Sequence, residues 1–192
     1  QVPEEGLSHQ AEMPDVPGPD GLKDLTEVAK DMLEFIPSKM RRFLTDKRPF
    51  EFRHVEPVDF EVPEKSPPRK HVWIRAVDAL PDNPVLHQNL LTYVSDYELL
   101  GVATLPHGLS FTRGSVIMAS LDHALWFHSE VKMDEWLLYA MDSPVSSGAR
   151  GLARGQIFSQ DGRLIASTAQ EGLMRVVDPD QWKPRSKPGS QN

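Results

Sequence analysis

Residues Gly151–Val176 read GLARGQIFSQDGRLIASTAQEGLMRV, and this stretch decides the fold class of the chain. Its two halves, Gly151–Ser159 and Leu164–Val176, are rich in residues that favour β-strands. Between them lies Gln160-Asp161-Gly162-Arg163, and an Asp-Gly pair is a strong signal for a tight hairpin turn. The stretch therefore predicts two antiparallel strands joined by that turn.

Other strands are predicted on the amino-terminal side of this hairpin: Phe50–Val55, His71–Ala76, Val116–His128 and Trp136–Asp142. One helix is predicted among them, at Val85–Leu100, because its apolar residues form a single broad stripe: Leu86, Leu90, Tyr93, Val94, Tyr97 and Leu100. A helix with a wide apolar stripe must bury it, and the following run of strands is long enough to cover it. The pattern predicts an α+β domain with an antiparallel sheet wrapped around a long central helix, whose buried face includes Leu90, Tyr93, Val94 and Tyr97.

The first 48 residues differ from the rest in composition. Four prolines fall within the first 20 residues, at Pro3, Pro14, Pro17 and Pro19, which is typical of a linker. From Leu22 to Leu44 apolar residues recur at helical spacing on either side of Pro37. This segment predicts two short helices.

Composition limits the function classes. The 192 residues contain 39% hydrophobic residues, enough for one sizeable core. A net charge of −7 argues against non-specific binding to nucleic acid or to anionic lipid. Cysteine is absent, which excludes disulfides, thiolate catalysis and zinc–thiolate sites and fits a reducing compartment. The apolar runs are too short to predict a membrane span.

Four phrases of the sequence resemble a known family. They are SLDHALWFH at 120–128, DEWLLY at 134–139, SGARGLARG at 147–155 and AQEGL at 169–173. In this order and at these spacings they are similar to the carboxy-terminal half of acyl-CoA thioesterase II, the TesB-type double-hotdog enzymes. The resemblance extends over roughly residues 49–176 and is more specific than any single short motif. It implies a hotdog fold and hydrolysis of acyl-CoA.

A repeated phrase fits the tandem architecture that the resemblance implies. Glu4-Glu5-Gly6-Leu7 nearly repeats Gln170-Glu171-Gly172-Leu173, and in this family each hotdog closes with a strand that carries such a phrase. We therefore expect four regions. Residues 1–12 are a remnant of the last strand of a first hotdog, 13–48 a linker with short helices, 49–178 the carboxy-terminal hotdog and 179–192 a flexible tail.

Asp96 is the first candidate catalytic residue. It matches the helix aspartate of the family and lies at the margin of the apolar stripe. A carboxylate against an apolar surface is poorly solvated, which strengthens it as a general base. From the residues alone, an exposed helical Asp is the commoner explanation, and the family match favours the catalytic one.

Ser120 and Gln170 complete the candidate site. Ser120 matches a position where the family has Thr or Ser, and its hydroxyl can bind water while staying neutral. No Gly-x-Ser-x-Gly elbow surrounds it, so we do not expect a nucleophile. Gln170 matches the glutamine of the last strand, and its amide can hold water and polarise a carbonyl. The equivalent position in the first-hotdog phrase is Glu4, which is consistent with one working site per tandem pair.

The resemblance implies direct hydrolysis of a thioester. Asp96 acts as general base, Ser120 and Gln170 help to hold the water, and coenzyme A leaves as a thiol. Neither a metal nor a cofactor is expected. We expect acyl-CoA as the substrate, no nucleic-acid partner and no membrane span, and we expect a homo-oligomer. The location we expect is the cytoplasm or a peroxisome, although no Ser-Lys-Leu terminus is present.

Two other functions remain open. A hotdog without its first copy is expected to expose surface that the copy would cover, and such a chain could bind acyl-CoA or a partner without turnover. We expect weak or no activity and strong self-association in that case. A hotdog hydratase or dehydratase needs a different Asp/His or Glu site, and the set of Asp96, Ser120 and Gln170 favours a thioesterase over it.

Several other polar residues are left outside the candidate site, and we expect Asp122 and His123 either to be structural or to support the site residues. Asp122 and His123 are adjacent and would point to opposite faces of a strand, so we expect no Asp–His dyad. His123 and His128 lack the helical spacing of a zinc site. Three arginines, Arg150, Arg154 and Arg175, could meet the phosphates of coenzyme A, but they are left outside the site. The glycines at 148, 151 and 155 fit a strand that bends or lies close to another backbone.

Overall fold

A computed structural model describes residues 6–58, 60, 64–112 and 114–177. The α-helices are α1 (Leu25–Asp31), α2 (Ser38–Thr45) and α3 (Pro84–Val94), with 3-10 helices at Leu33–Phe35 and Leu100–His107. The strands are β1 (Phe50–His54), β2 (Arg69–Ala76), β3 (Val116–Ser120), β4 (Ala124–Phe127), β5 (Leu137–Ser147), β6 (Arg150–Ser159) and β7 (Leu164–Val176).

The strands form one antiparallel sheet. Its order is β1-β2-β5-β6-β7-β3, and β4 also pairs with β7. The hairpin predicted within Gly151–Val176 is formed by β6 and β7, and Gly162 in its turn has φ +90°. Only a residue without a side chain adopts that conformation at little cost, so Gly162 fixes the turn and the pairing of the two strands. The predicted α+β class with an antiparallel sheet is confirmed.

The main core lies between this sheet and the segment that runs from α3 through the second 3-10 helix. Leu91, Val94, Leu99 and Val102 from that segment are at most 1% exposed. They pack in one cluster with strand residues that include Val72, Ile74, Leu137, Tyr139 and Ile157. Leu25, Ala29, Ile36 and Leu44 from the first helical region belong to the same cluster. The sheet therefore covers the helical segment on one side, as the hotdog expectation requires.

The central helix is shorter than predicted. The α-helix ends at Val94, with Ser95 as its C-cap, and a turn leads into the 3-10 helix at Leu100. The hydroxyl of Ser95 donates to the carbonyl of Thr92 at 2.9 Å, and Glu98 has a left-handed backbone with φ +67°. Such a backbone is incompatible with a continuous α-helix. The prediction of one helix over 85–100 was therefore wrong beyond Val94.

The buried face of α3 also differs in part from the prediction. Val94 is buried, and Leu90 and Tyr97 are partly buried against the core. Tyr93, however, is 57% exposed, and the buried positions of the helix are His87, Leu91 and Val94. The prediction that Tyr93 lies under the sheet was wrong, because the helix is rotated so that positions 87, 91 and 94 face inward.

The region predicted as one strand at 116–128 contains two. β3 ends at Ser120, and β4 begins at Ala124 after a three-residue link. Close packing between the strands is confirmed at Gly155, where an added Cβ would collide with the ring of Tyr139 and the hydroxyl of Thr168. The two helices predicted around Pro37 are found: α1 lies before this proline, and α2 begins at the residue directly after it.

The predicted domain boundaries stay a prediction. Glu4 and Glu5 of the first-hotdog phrase, and the predicted tail at 179–192, lie outside the described residues. The described part of the first segment contacts the β6–β7 hairpin: the side chain of Gln10 donates to Gly162 O at 2.8 Å and accepts from Leu164 N at 3.0 Å. In the described ranges, no helix is long and apolar enough to cross a membrane.

Candidate active site

Gln170 connects the two other candidate residues. It lies in the middle of β7, paired with Ala153 of β6, and its side chain is fully buried. Its amide nitrogen donates to Asp96 Oδ1 at 2.5 Å and to Ser120 Oγ at 3.1 Å. The structure thus brings together the three side chains that the sequence singled out. Because an amide nitrogen has two hydrogens, both are used in these contacts.

The sheet and α3 place the partners of Gln170. Ser120 is the last residue of β3 and lies opposite Gly172 of β7, which is two residues after Gln170 on that strand. Asp96 follows the C-cap of α3. The turn that carries it is held from the sheet side, because the phenol of Tyr139 donates to the carbonyl of Ser95 at 2.8 Å.

Tyr139 is suited to this anchoring. Burial raises the pKa of Tyr139 well above its ordinary value, although its hydrogen bond to Thr168 lowers it in part. The phenol therefore keeps its proton over the physiological range and remains a donor. It fixes the backbone of the turn without adding charge beside the carboxylate of Asp96.

The solvation of Asp96 differs from the expectation. Its side chain is 59% exposed, so the carboxylate is not pressed against an apolar surface within this chain. The reason is that Asp96 lies in the turn after α3 and outside the buried face of the helix. Desolvation of the base would have to come from bound substrate or from a further protein surface.

His123, for which a structural or a supporting role was expected, lies beside the site. Its Nε2 lies 2.9 Å from Ser95 Oγ, and its Nδ1 lies 4.0 Å from Asp96 Oδ1. Asp122 Oδ1, on the neighbouring residue, accepts from the backbone N–H of Glu171 at 2.7 Å. No sequence signal joins Asp96 to a histidine 27 residues later, and only the folded chain brings them together.

A cluster of charges supports the other end of the Asp96 turn. Glu98 forms an ion pair with Lys70 and lies 3.6 Å from Nε2 of His54. Burial alone would raise the pKa of Glu98, but attraction to Lys70 and then to His54 outweighs it and lowers the pKa to about 2. Burial, followed by repulsion from Lys70, lowers the pKa of His54 to about 4. At neutral pH the cluster contains an anion, a cation and a neutral imidazole.

This cluster borders a cavity of about 610 Å³. Its lining combines the three polar side chains with apolar ones that include Leu25, Leu44, Leu105, Leu109 and Phe111. Cavities of this size with a few polar groups are typical of small-molecule sites. Glu98 lines the cavity, whereas Asp96, Ser120 and Gln170 are not among its lining residues.

The arginines considered for coenzyme A are partly engaged elsewhere. Arg154 pairs with Asp142, with Nη2 and Oδ2 2.5 Å apart, and Arg150 Nε lies 3.2 Å from Glu171 Oε1. No cluster of three or more His, Asp or Glu side chains suited to a metal ion occurs within the part of the chain that the structure describes.

Comparison with known proteins assigns the family. The sequence pattern of the Acyl-CoA thioesterase family matches residues 42–173, which contain Asp96, Ser120 and Gln170. The chain belongs to the acyl-CoA thioesterase family. The predicted family is confirmed, and the matched segment begins within α2 and ends within β7.

Individual relatives agree with this assignment. Acyl-CoA thioesterase 2 of Haemophilus influenzae is 37% identical over 178 residues, covering 93% of this chain and 62% of that protein. The acyl-CoA thioesterase II TesB2 of Mycobacterium marinum has a TM-score of 0.69 and 37% identity, covering 93% of this chain and 61% of that one. A hot dog fold protein from Alicyclobacillus acidocaldarius has a TM-score of 0.64 at 19% identity, covering 91% and 59%.

Two conclusions follow from these similarities. The fold is that of hotdog thioesterases, and the chain spans about 60% of the length of the relatives that it matches.

Proposed function

We propose that this chain hydrolyses the thioester of fatty acyl-CoA to a free fatty acid and coenzyme A. The observation that carries the proposal is the pair of hydrogen bonds from Gln170 to Asp96 and Ser120. They hold a carboxylate and a hydroxyl around one point, which is what activation of a single water requires. Membership in the acyl-CoA thioesterase family supports the substrate class.

In the proposed mechanism, Asp96 takes a proton from the attacking water. Oδ1 is held by Gln170, which leaves Oδ2 available to receive the proton. The water oxygen bonds to the acyl carbon, the carbon–sulfur bond breaks with its electron pair on sulfur, and the thiolate is protonated. A thiolate is a good leaving group, so a covalent enzyme intermediate is not required.

Ser120 and Gln170 have different tasks from those expected. Because both hydrogens of the Gln170 nitrogen are donated within the site, this amide orients Asp96 and Ser120 and has no donor left for the substrate. Ser120 Oγ accepts one of these hydrogens, so its own hydroxyl hydrogen can point to the thioester carbonyl. We therefore assign the polarisation of that carbonyl to Ser120.

The test is release of free coenzyme A from medium- and long-chain acyl-CoA, followed with a thiol reagent. We expect Asp96→Asn to lower kcat by about 10²-fold or more, since general base catalysis contributes about 10²–10⁴-fold. Asp78→Asn is the matched control, because Asp78 is exposed and lies in the loop before α3. Equal loss in both variants, or full activity of Asp96→Asn, would refute the assignment.

Binding without turnover is the second candidate. It is favoured by the 59% exposure of Asp96, because within the described residues no apolar surface covers this carboxylate as the catalytic role was expected to require. Equilibrium dialysis with a non-hydrolysable thioether analogue of acyl-CoA distinguishes the two functions. Binding by a wild-type chain that releases no coenzyme A would favour this candidate.

We also propose that the chain self-associates through β3 and β4. Ile117, Leu121 and Trp126 are about half exposed there, beside Ser120. Exposed apolar surface of this kind is typical of an interface. Sedimentation velocity should show a dimer or larger species, and Trp126→Ser should shift the distribution to the monomer. A monomeric wild-type chain at micromolar concentration would contradict this proposal.

For the location of the protein, we propose the cytoplasm or a peroxisome. The absence of cysteine in the 192 residues supports a reducing compartment. Imaging of the fluorescently tagged protein, with a peroxisomal marker, would decide between them, and secretion would refute both.

A further inference from the structure

His123 is held close to the site by the link between β3 and β4. The backbone N–H groups of Leu121 and Asp122 donate to Glu171 O at 2.9 and 3.4 Å. Asp122 Oδ1 in turn accepts from Glu171 N. These bonds fix the link against β7 at the residue after Gln170, so the position of His123 is set by the same strand that carries Gln170.

The hydrogen bonds of Ser95 determine which nitrogen of His123 carries the hydrogen. The single hydrogen of the Ser95 hydroxyl is donated to Thr92 O at 2.9 Å. Towards His123 Nε2, also at 2.9 Å, Ser95 Oγ must therefore accept. The neutral ring then has its hydrogen on Nε2 and a lone pair on Nδ1.

That lone pair faces the candidate base. His123 Nδ1 lies 4.0 Å from Asp96 Oδ1, and it is a buried atom with no hydrogen-bond partner among the described residues. A buried acceptor without a partner is costly unless a ligand or a proton uses it. Separations of this length commonly shorten when substrate binds, or are bridged by one water.

Asp96 is the charged group that the structure places against the imidazole, on the turn after α3. The charged groups of the neighbouring elements are directed elsewhere. Asp122, in the same link, binds the backbone of Glu171, and the Glu171 carboxylate on β7 pairs with Arg150 of β6. Among the described residues, the carboxylate that the ring approaches is therefore that of Asp96, the group proposed to receive the proton of the water.

We propose that His123 is the proton acceptor behind Asp96. This inference rests on the proposed function. The proton passes from the attacking water to Asp96 Oδ2. Because Oδ1 is held by Gln170 and Nδ1 lies 4.0 Å from it, a second, bridging water carries the proton on to Nδ1 of His123, giving an imidazolium beside a restored carboxylate.

Atoms and charges balance over the reaction. The water oxygen becomes part of the carboxylic acid, and the electron pair of the carbon–sulfur bond leaves on sulfur. The imidazolium then gives its proton to the thiolate, which departs as coenzyme A thiol. His123 and Asp96 return to their starting states, and no other reactant is needed.

The first experiment determines the tautomer. Nitrogen-15 NMR of the histidine rings in the 192-residue chain at pH 8 distinguishes a hydrogen on Nε2 from one on Nδ1. We expect the hydrogen on Nε2 in the wild type and a mixture in Ser95→Ala, which lacks the acceptor. A hydrogen on Nδ1 in the wild type would overturn the proposal, because that atom could not accept a proton.

The second experiment separates proton transfer from simple anchoring. His123→Gln keeps an N–H group near the reach of Nε2, so it can still donate to Ser95, but it cannot take up a proton. We expect kcat to fall about 10²-fold with KM changed less than about twofold and the thermal midpoint close to wild type. If His123→Gln keeps the wild-type kcat while His123→Asn loses it, His123 is only an anchor and the proposal fails.

The two experiments also separate this inference from the proposed function. A wild-type chain that releases no coenzyme A refutes the proposed function and, with it, any proton transfer by His123. A chain that releases coenzyme A but shows the wrong tautomer, or an active His123→Gln variant, refutes the inference alone.

Discussion

Acidification should destabilise the protein through His54, and the structure allows the size of this effect to be worked out. The side chain of His54 is 5% exposed, and neither ring nitrogen has a hydrogen-bond partner among the described residues. Its pKa falls from 6.5 to about 4 because burial, and then the charge of Lys70, disfavour the imidazolium. The unfolded chain therefore takes up this proton more readily than the folded chain. The contribution of His54 to stability is fully present above pH 6.5 and is lost as the pH falls towards 4.

The shift of about 2.5 pH units corresponds to a total of about 3 kcal/mol at 1.36 kcal/mol per unit. Between pH 7 and pH 5, integration gives a loss of about 2 kcal/mol in the free energy of unfolding. Glu98 adds little over this interval, because its lowered pKa of about 2 makes its contribution disappear mainly below pH 4.5.

Urea unfolding at pH 7 and pH 5 measures the loss. We expect His54→Asn, which cannot titrate, to lose about 2 kcal/mol less than the wild type over this interval. His128→Asn controls for removal of a histidine in general, since His128 is exposed and directly follows β4. The difference between the two pH values matters, because the substitution at a buried site also changes stability at pH 7. An equal pH dependence in His54→Asn and the wild type would refute the argument.

Two further predictions concern stability. Lys70→Met removes the cation from the partly buried carboxylate of Glu98, which is 25% exposed, and should cost about 1–3 kcal/mol in urea unfolding. Arg154→Met breaks a more exposed pair and should cost less than about 1 kcal/mol. Similar losses in both variants would contradict the importance of burial. Gly155→Ala should lower the free energy of unfolding by about 1–3 kcal/mol, because the added Cβ would collide with side chains of the neighbouring strands. Gly101→Ala is the control and should be nearly neutral, since nothing lies within 4 Å of its added Cβ. A neutral Gly155→Ala would show that the sheet relaxes easily.

The sequence predicted the fold best where interactions between residues close in the chain determine the local structure. The Gln160–Arg163 turn was found as predicted, because Gly162 alone fixes its geometry. The end of α3 was not predicted correctly, because it depends on Ser95 and Glu98. The carbonyl of Ser95 accepts a hydrogen bond from Tyr139 of β5, and Glu98 pairs with Lys70 of β2. Apolar periodicity cannot report such tertiary contacts.

The same distinction applies to the candidate site. Asp96, Ser120 and Gln170 were named from their resemblance to a family, and periodicity or spacing alone would not have selected them. His123 was expected to be structural or to support the site residues, and the sequence did not show which of them it would approach. Its contact with the Asp96 turn arises from the link between β3 and β4, where the sequence had predicted an unbroken strand.

The bridging amide of Gln170 has a consequence for protein engineering. Asp96, Ser120 and Gln170 are contributed by a helix end, a short strand and a long strand, and each is aligned by the others. A designer who moves only one of these segments into another scaffold would transfer a residue without its orientation. The smallest transferable unit is α3 with its turn, together with β3 and β7 in their native register.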